Sequence, residues 1–271
     1  MNAMQLFVEV LRGAGRPMRW LKRFGCCGAN ARLAARLPAI HFPPTALFSA
    51  AYHHSSYQQY YESGLAQARF IMETMRRYKP QSELVIGEWG CGPARIIQHL
   101  PALDRGIARL VGIDCDPGVI DWCRQTFPAI DFLRNNLAPP LALADQSLDV
   151  LYCCAVFSHL AESLQHAWLA EIRRVLKPGG LLIASFQGDG LRDRLTAEEL
   201  ASYDAGELVV RAHGREGTRD FLTFSGDNFV RQRLLSGFAE VTRLDDAPFV
   251  QTVWCATVPA SPLQTVGGAR C

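Results

Sequence analysis

Glu88-Trp-Gly-Cys-Gly92 and, further on, Asp114 are the residues of this chain whose types and spacing carry chemistry. Two glycines one residue apart let the backbone turn sharply and let a ligand lie against bare peptide, because neither has a Cβ. Asp114 stands about 22 residues beyond Gly92, the spacing at which a carboxylate ending the next strand reaches ribose hydroxyls. Glu88 would repel a pyrophosphate, and Arg95 occupies the place of the third glycine in a dinucleotide fingerprint, so NAD is disfavoured. A cationic nucleoside gains from an acid at the lip of the turn.

These residues need strands and helices to hold them. Leu84-Val-Ile reads as a strand buried on both faces of a parallel sheet, and Leu110-Val-Gly-Ile113 reads as the next. A helix starting near Pro93 and running through Leu100 would aim its first N–H groups into the turn. The pattern predicts strands near 84–87, 110–113, 131–133, 148–153 and 181–186, with helices near 93–100, 117–126 and 161–175. A helix near Asp227–Ser236 and strands from Phe238 to Arg243 and from Val250 to Val258 would complete the sheet. In open α/β sheets ligands sit beyond the carboxyl ends of the strands, which brings Glu88–Gly92, Asp114, Asn136 and Cys154–His159 to one edge.

The sequence resembles the class I S-adenosylmethionine-dependent methyltransferases, whose first motif, acid-x-Gly-x-Gly, stands here as Glu88-Trp-Gly-Cys-Gly92. Asp114 matches the family's ribose-binding acid, and Asn135-Asn136-Leu137 falls where the family contacts adenine. Asp145-Gln-Ser-Leu-Asp-Val-Leu-Tyr152 looks like its fourth strand, and Leu176-Lys-Pro-Gly-Gly-Leu-Leu-Ile183 like the turn into its fifth. The family usually has Asp where Asn136 stands; an Asn carbonyl still accepts a hydrogen bond from adenine. The resemblance spans roughly Tyr57 to Val258. It implies a Rossmann-like α/β fold: a mostly parallel seven-stranded sheet with an antiparallel last strand, helices on both faces and an N-terminal helical cap. It implies S-adenosyl-L-methionine as cofactor, held by Glu88, Trp89, Gly90, Cys91, Gly92, Asp114, Cys115, Asn136, Leu137 and Cys154, with Tyr57 and Gly64 from a lid segment that also carries Tyr60 and Tyr61. The methyl carbon would point toward Ala155–His159, where His159 is the candidate general base; His53, His54 and His213 are further candidates. The implied activity is methyl transfer to an O, N or C nucleophile of a small molecule such as a secondary metabolite. The alternatives are a carrier-bound or macromolecular substrate, or a non-catalytic module that binds S-adenosylmethionine.

Composition agrees with such a domain. With 271 residues, 49% of them hydrophobic and 20% charged, the chain is long enough for one large α/β core with a cap. Its nine cysteines include the adjacent pairs Cys26-Cys27 and Cys153-Cys154 and show neither C-x-x-C nor metal-ligand spacing, so reduced cytoplasmic thiols and no metal are expected. Neither a signal peptide nor a membrane-spanning run is apparent.

The expected organisation is a basic extension and cap over 1–60, a methyltransferase domain over 61–258 with a substrate-covering insertion at 188–225, and a disordered tail over 259–271. From Val10 to Tyr61 there is no Asp or Glu, while Arg12, Arg16, Arg19, Lys22, Arg23, Arg32 and Arg36 are basic, against a net charge of +2 for the whole chain. Met18, Leu21 and Phe24 recur near helical spacing, so this stretch reads as an amphipathic helix that could receive an acidic partner such as a carrier protein. The basic residues are not interleaved with stacking aromatics, which disfavours nucleic acid.

Overall fold

The computed structural model describes residues 28–51 and 56–260. They form two compact units, one ending at Gly64 and one beginning at Leu65. The amphipathic helix expected around Met18, Leu21 and Phe24, the basic residues from Arg12 to Arg23, the candidates His53 and His54, and residues 261–271 lie outside the described residues.

In the first unit, residues 28–36 and Thr45–Ala51 are helical, and the helix Tyr57–Tyr78 (α1) begins. Aromatic rings hold it together: Phe42 stacks on Tyr57 at 4.4 Å, and Phe48 meets Tyr60 at 5.6 Å. Tyr57 is fixed further by its N–H, which donates to Asn30 Oδ1 at 3.0 Å, and by its hydroxyl, which donates to Pro43 O at 3.1 Å. Arg32 and Arg36 are exposed.

The second unit is a seven-stranded sheet in the order β3-β2-β1-β4-β5-β9-β8. Its strands are β1 (Val85–Trp89), β2 (Arg109–Asp114), β3 (Asp131–Arg134), β4 (Leu148–Cys153), β5 (Leu176–Phe186), β8 (Ala239–Leu244) and β9 (Thr252–Thr257). The strands β1 to β5 pair in parallel and β9 runs antiparallel to both neighbours, as the family resemblance implies. The apolar run of β4 is buried along its whole length, which is what a central parallel strand requires. Two crossover helices flank this core: α2 (Pro117–Thr126), begun by Asp116 as N-cap, and α3 (Glu162–Val175). Trp168, Trp254, Phe157 and Phe186 are essentially inaccessible, and burial of each large side chain contributes roughly 1.5–3 kcal/mol.

Three expectations need correction. The helix expected from Pro93 through Leu100 does not form as one element: a 3-10 turn, Ile97–His99, leads into the single turn Leu100–Leu103. Ala94 adopts φ +57, which interrupts a right-handed run, and the Ile97 N–H donates to Glu88 Oε2 at 3.0 Å instead of to a carbonyl one turn back. β5 begins at Leu176 rather than near 181; a bulge between its pairings with Leu148 and Val150 absorbs Lys177-Pro-Gly-Gly180. The segment expected as an α-helix over Asp227–Ser236 is one α turn, Asp227–Phe229, continued by the π-helical Val230–Leu234.

Residues 188–225 carry their own small core. The helix α4 (Ala197–Asp204) starts at a capping box in which Thr196 and Glu199 satisfy each other's backbone N–H groups. The hairpin of β6 (Val209–Ala212) and β7 (Phe221–Phe224) packs Val209 and Phe224 against Leu191, Leu195 and Tyr203. Arg211 clips the hairpin to α4 through Glu199 at 2.6 Å. Among the described residues no helix is long and apolar enough to cross a membrane.

Candidate active site

The site lies where the strand order reverses, between β1 and its neighbours β2 and β4. Gly90 follows β1 with φ +76, and a Cβ built there would stand 2.3 Å from Val156 Cγ2. Only glycine fits that position, on both conformational and steric grounds. The N–H groups of Gly90 and Cys91 both donate to Ile113 O, at 2.7 and 3.0 Å, and so bind the turn to the end of β2. Gly92 then donates its N–H to Asp114 Oδ2 at 2.8 Å, while Asp114 Oδ1 accepts from Asp116 N–H at 3.0 Å.

Asp114 is partly exposed at the end of β2. Burial raises its carboxyl above the ordinary range, against the N–H groups of Asp116 and Gly92 that favour the anion. Each carboxylate oxygen has a second lone pair, so both remain able to accept from a hydroxyl. Cys115 beside it is exposed. Asn136 and Leu137 follow β3 and are exposed, Leu137 to 46%. The Leu137 carbonyl accepts from Trp168 Nε1–H at 2.9 Å, and Trp168 in turn lies 4.4 Å from the Trp89 ring.

Glu88 occupies a different place from the lip that its sequence position suggests. It is only 3% exposed, and its Oε2 accepts from both Ile97 N–H at 3.0 Å and Tyr152 O–H at 2.9 Å. Burial pushes its carboxyl up to about 8, against the Tyr152 hydrogen bond, the charge of Arg95 and the Ile97 N–H. Glu88 therefore sits beneath the glycine turn, where burial favours its protonated form. Trp89 is buried between Trp168 and Phe157, so its ring belongs to the core. Cys91 is buried and Cys154 half-buried; burial raises both thiols well above their usual range.

His159 lies in the turn after β4, where Phe157–His159 is 3-10 helical. Its Nδ1 is 3.0 Å from Phe221 O. A carbonyl only accepts, so Nδ1 carries the hydrogen and the neutral ring keeps its lone pair on Nε2. Burial holds the imidazole below its ordinary value; the Phe221 bond opposes this and the Arg219 charge adds to it. The hairpin grips the same turn twice more, with Gly217 N–H donating to His159 O at 2.8 Å and Glu216 Oε1 accepting from Ala161 N–H at 2.5 Å. His213 is exposed in the segment between β6 and β7.

Glu88–Gly92, Asp114 and the segment Cys154–His159 are thus assembled within the second unit. Tyr57 is engaged in the aromatic cluster of the first unit, and Gly64 is a buried residue within α1. Three residues have roles that sequence reasoning did not give them. Tyr152 reaches Glu88 because β1 and β4 place the two in register. Val156 fills the space over Gly90. Arg95, which reads as a solvated helix residue, is half-buried, and its charge acts on Glu88, His99 and Cys154. Only the strand register, which a single sequence does not display, would have revealed the first.

Residues 88–184 match the family described as a methyltransferase domain. The chain is 30% identical over 141 residues to a malonyl-[acyl-carrier protein] O-methyltransferase of Yersinia pestis, covering 51% of this chain and 46% of that protein. It is 36% identical over 100 residues to a ubiquinone biosynthesis O-methyltransferase of Cereibacter sphaeroides, covering 35% and 38%. The chain thus spans less than half the length of these curated relatives. Among solved structures, an amino pentose methyltransferase from Micromonospora echinaspora with S-adenosylmethionine bound superposes with a TM-score of 0.54 at 15% identity, covering 80% of this chain and 98% of that one. A glycine turn bonded to a ribose-distance carboxylate, on this sheet and within this family match, fits S-adenosyl-L-methionine as the cofactor. Residues 88–184 thus match a methyltransferase domain, set on a fold shared with a solved methyltransferase that binds S-adenosylmethionine.

Proposed function

We propose that this protein transfers a methyl group from S-adenosyl-L-methionine to a nucleophilic O, N or C atom of a small molecule. One observation carries the reading: the bare-backbone turn at Gly90 and Gly92 is bonded to Asp114 on one side and packed by Val156, from the segment after β4, on the other. That arrangement supports a nucleoside site beside a turn that faces an acceptor. When bound, the cofactor supplies a methyl carbon already activated by its sulfonium.

The protein's task is then alignment and exclusion of water. Asp114 offers its carboxylate to the ribose hydroxyls, Asn136 and Leu137 flank the adenine, and Arg95 brings a positive charge suited to the carboxylate of the methionine end. Glu88, Trp89, Cys91, Cys115 and Cys154 shape the walls. His159 Nε2 is the group that accepts a proton where the acceptor is a hydroxyl or an ammonium. Tyr57 and Gly64 belong to the segment we assign as a lid, and 188–225 to a cover over the acceptor. The six described cysteines are free thiols, which supports a reducing, cytoplasmic setting.

A carrier-bound acceptor is the second reading. It is favoured by the run without acids from Val10 to Tyr61 and by the match to a methyltransferase of malonyl-[acyl-carrier protein]. Calorimetric titration with S-adenosylhomocysteine, with NAD as control, tests the cofactor. Micromolar binding of the first and none of the second is expected; the reverse would overturn the assignment. Removing residues 1–40 tests the second reading, since a small-molecule enzyme keeps its acceptor affinity at low salt.

A further inference from the structure

The hairpin of β6 and β7 touches the site at two places, and the first is the turn after β4. Thr223 Oγ1, which accepts from Gln165 Nε2 at 3.2 Å, donates to Phe157 O at 3.3 Å. His159 Nδ1 donates to Phe221 O at 3.0 Å, and Gly217 N–H donates to His159 O at 2.8 Å. The Glu216 carboxylate accepts from Ala161 N–H at 2.5 Å. β7 and the loop before it are therefore bonded along residues 157–161. That loop, residues 213–220, has a shape of its own: Thr218 N–H and Oγ1 both donate to Arg215 O, and His213 N–H donates to Asp220 O.

The second place is the segment after β3. Gly217 adopts φ +80, where a side chain is strained, and a Cβ built on it would stand 2.4 Å from Leu137 Cδ1. The Gly217 backbone thus lies directly against the tip of the Leu137 side chain. Leu137 is held from beneath, where its carbonyl accepts the Trp168 indole N–H at 2.9 Å, yet it stays 46% exposed with the hairpin in contact. Arg134, the last residue of β3, pairs with Asp114, so Leu137 follows the strand that lies beside the ribose-distance carboxylate. One loop therefore spans from the nucleoside edge of the sheet to the turn after β4.

We propose that the loop 213–220 is the outer wall of the adenine site, with Gly217 as the positioning residue that seats it on Leu137. This rests on the methyltransferase reading above. A flat purine that covers the open part of Leu137 gains apolar contact, and the loop sets the edge against which it lies. Because the same loop holds the His159 carbonyl and the Ala161 N–H, wall and turn move as one piece. The tip of the insertion thus serves the cofactor, and only the remainder is left to cover the acceptor.

The test is calorimetry on the full chain with S-adenosylhomocysteine and, by displacement, with 5′-methylthioadenosine, which keeps adenine and ribose but lacks the amino-acid end. Glu216→Ala frees the loop from Ala161 without touching Leu137. Affinity should fall about tenfold, as for loss of one hydrogen bond to a charged group, and by the same factor for both ligands. Glu216→Gln, whose amide oxygen still accepts, should stay within about threefold of the unaltered protein. Gly217→Ala strains the loop and pushes the Leu137 side chain aside, and should weaken both ligands roughly tenfold. Where Gly217→Ala fails to fold, Glu216→Ala decides. Unchanged affinity for both ligands would overturn the proposal even if the melting temperature falls, because the hairpin would then only brace the turn. A loss confined to S-adenosylhomocysteine would place the loop at the methionine end and overturn it too, as would no binding of 5′-methylthioadenosine to the unaltered protein. Failure of the unaltered protein to bind S-adenosylhomocysteine would instead overturn the underlying reading.

Discussion

Asp114 Oδ2 accepts the Gly92 N–H at 2.8 Å, so the carboxylate at the end of β2 and the glycine turn after β1 form one bonded unit. An acid in this position often serves only as a helix N-cap. Here Asp116 does that work, accepting from Gly118 and Val119 at 2.8 and 3.1 Å. Asp114 is thereby released from capping, and its orientation is set by the turn that it serves.

Asp114→Ala removes the acceptor for two backbone N–H groups and for the ribose. Loss of hydrogen bonds to a charged group costs about 1.5–3 kcal/mol, roughly ten- to a hundredfold in affinity. Calorimetry should show that loss for S-adenosylhomocysteine, with Asp114→Asn intermediate because its single carbonyl oxygen still accepts. Unchanged affinity in both variants would remove Asp114 from the site.

Gly90→Ala should be worse than an ordinary loop substitution. The new Cβ meets Val156 Cγ2 at 2.3 Å in a backbone at φ +76. Left-handed strain of about 1–3 kcal/mol adds to the overlap. Pairing it with Val156→Ala relieves the overlap but not the strain. The double variant should therefore recover part of the melting temperature and little of the S-adenosylhomocysteine affinity.

The sheet was legible because short β-branched runs bounded by turns are what parallel strands require, and the motif order fixes which strand follows which. The glycine turn and Asp114 were legible for the same reason. What escaped depends on long-range register and on local backbone. Ala94 at φ +57 and the diversion of the Ile97 N–H to Glu88 broke a helix that the residue pattern alone favours. Glu88 was expected at the lip of the turn, because its partner Tyr152, which holds it beneath, is 64 positions away.

His159 separates acceptor classes. For a hydroxyl acceptor, removing a general base typically costs 10²–10⁴-fold, roughly, in kcat. For a carboxylate, which carries no proton at neutral pH, His159→Asn should retain kcat within about threefold, far short of a lost base, and the pH–rate profile should show no imidazole limb. The variant should also lose about 1 kcal/mol of stability with the hydrogen bond to Phe221 O.

Glu88 and His99 make opposite contributions to stability as pH changes. The Glu88 carboxyl is pushed up from 4.5 to about 8, chiefly by burial, so between those values the folded protein holds a proton that the unfolded chain has released. Stability must fall as pH rises through that window. The His99 imidazole is pushed down from 6.5 to about 4, again chiefly by burial and then by Arg95 and Arg69, so there the unfolded chain holds the extra proton and stability rises with pH. The two oppose each other from 4.5 to 6.5, and of the pair only Glu88 acts from 6.5 to about 8. Melting temperature should therefore decline across this upper range in the unaltered protein. Glu88→Gln, whose carbonyl still accepts from Tyr152 and Ile97, should flatten the decline and, with His99 no longer opposed, let stability rise with pH between 4.5 and 6.5. His99→Asn should remove that opposition, so that stability falls with pH from the ordinary carboxylate range upward. A Glu88→Gln variant that keeps the full decline above pH 6.5 would show that the carboxyl is already ionised beneath the turn.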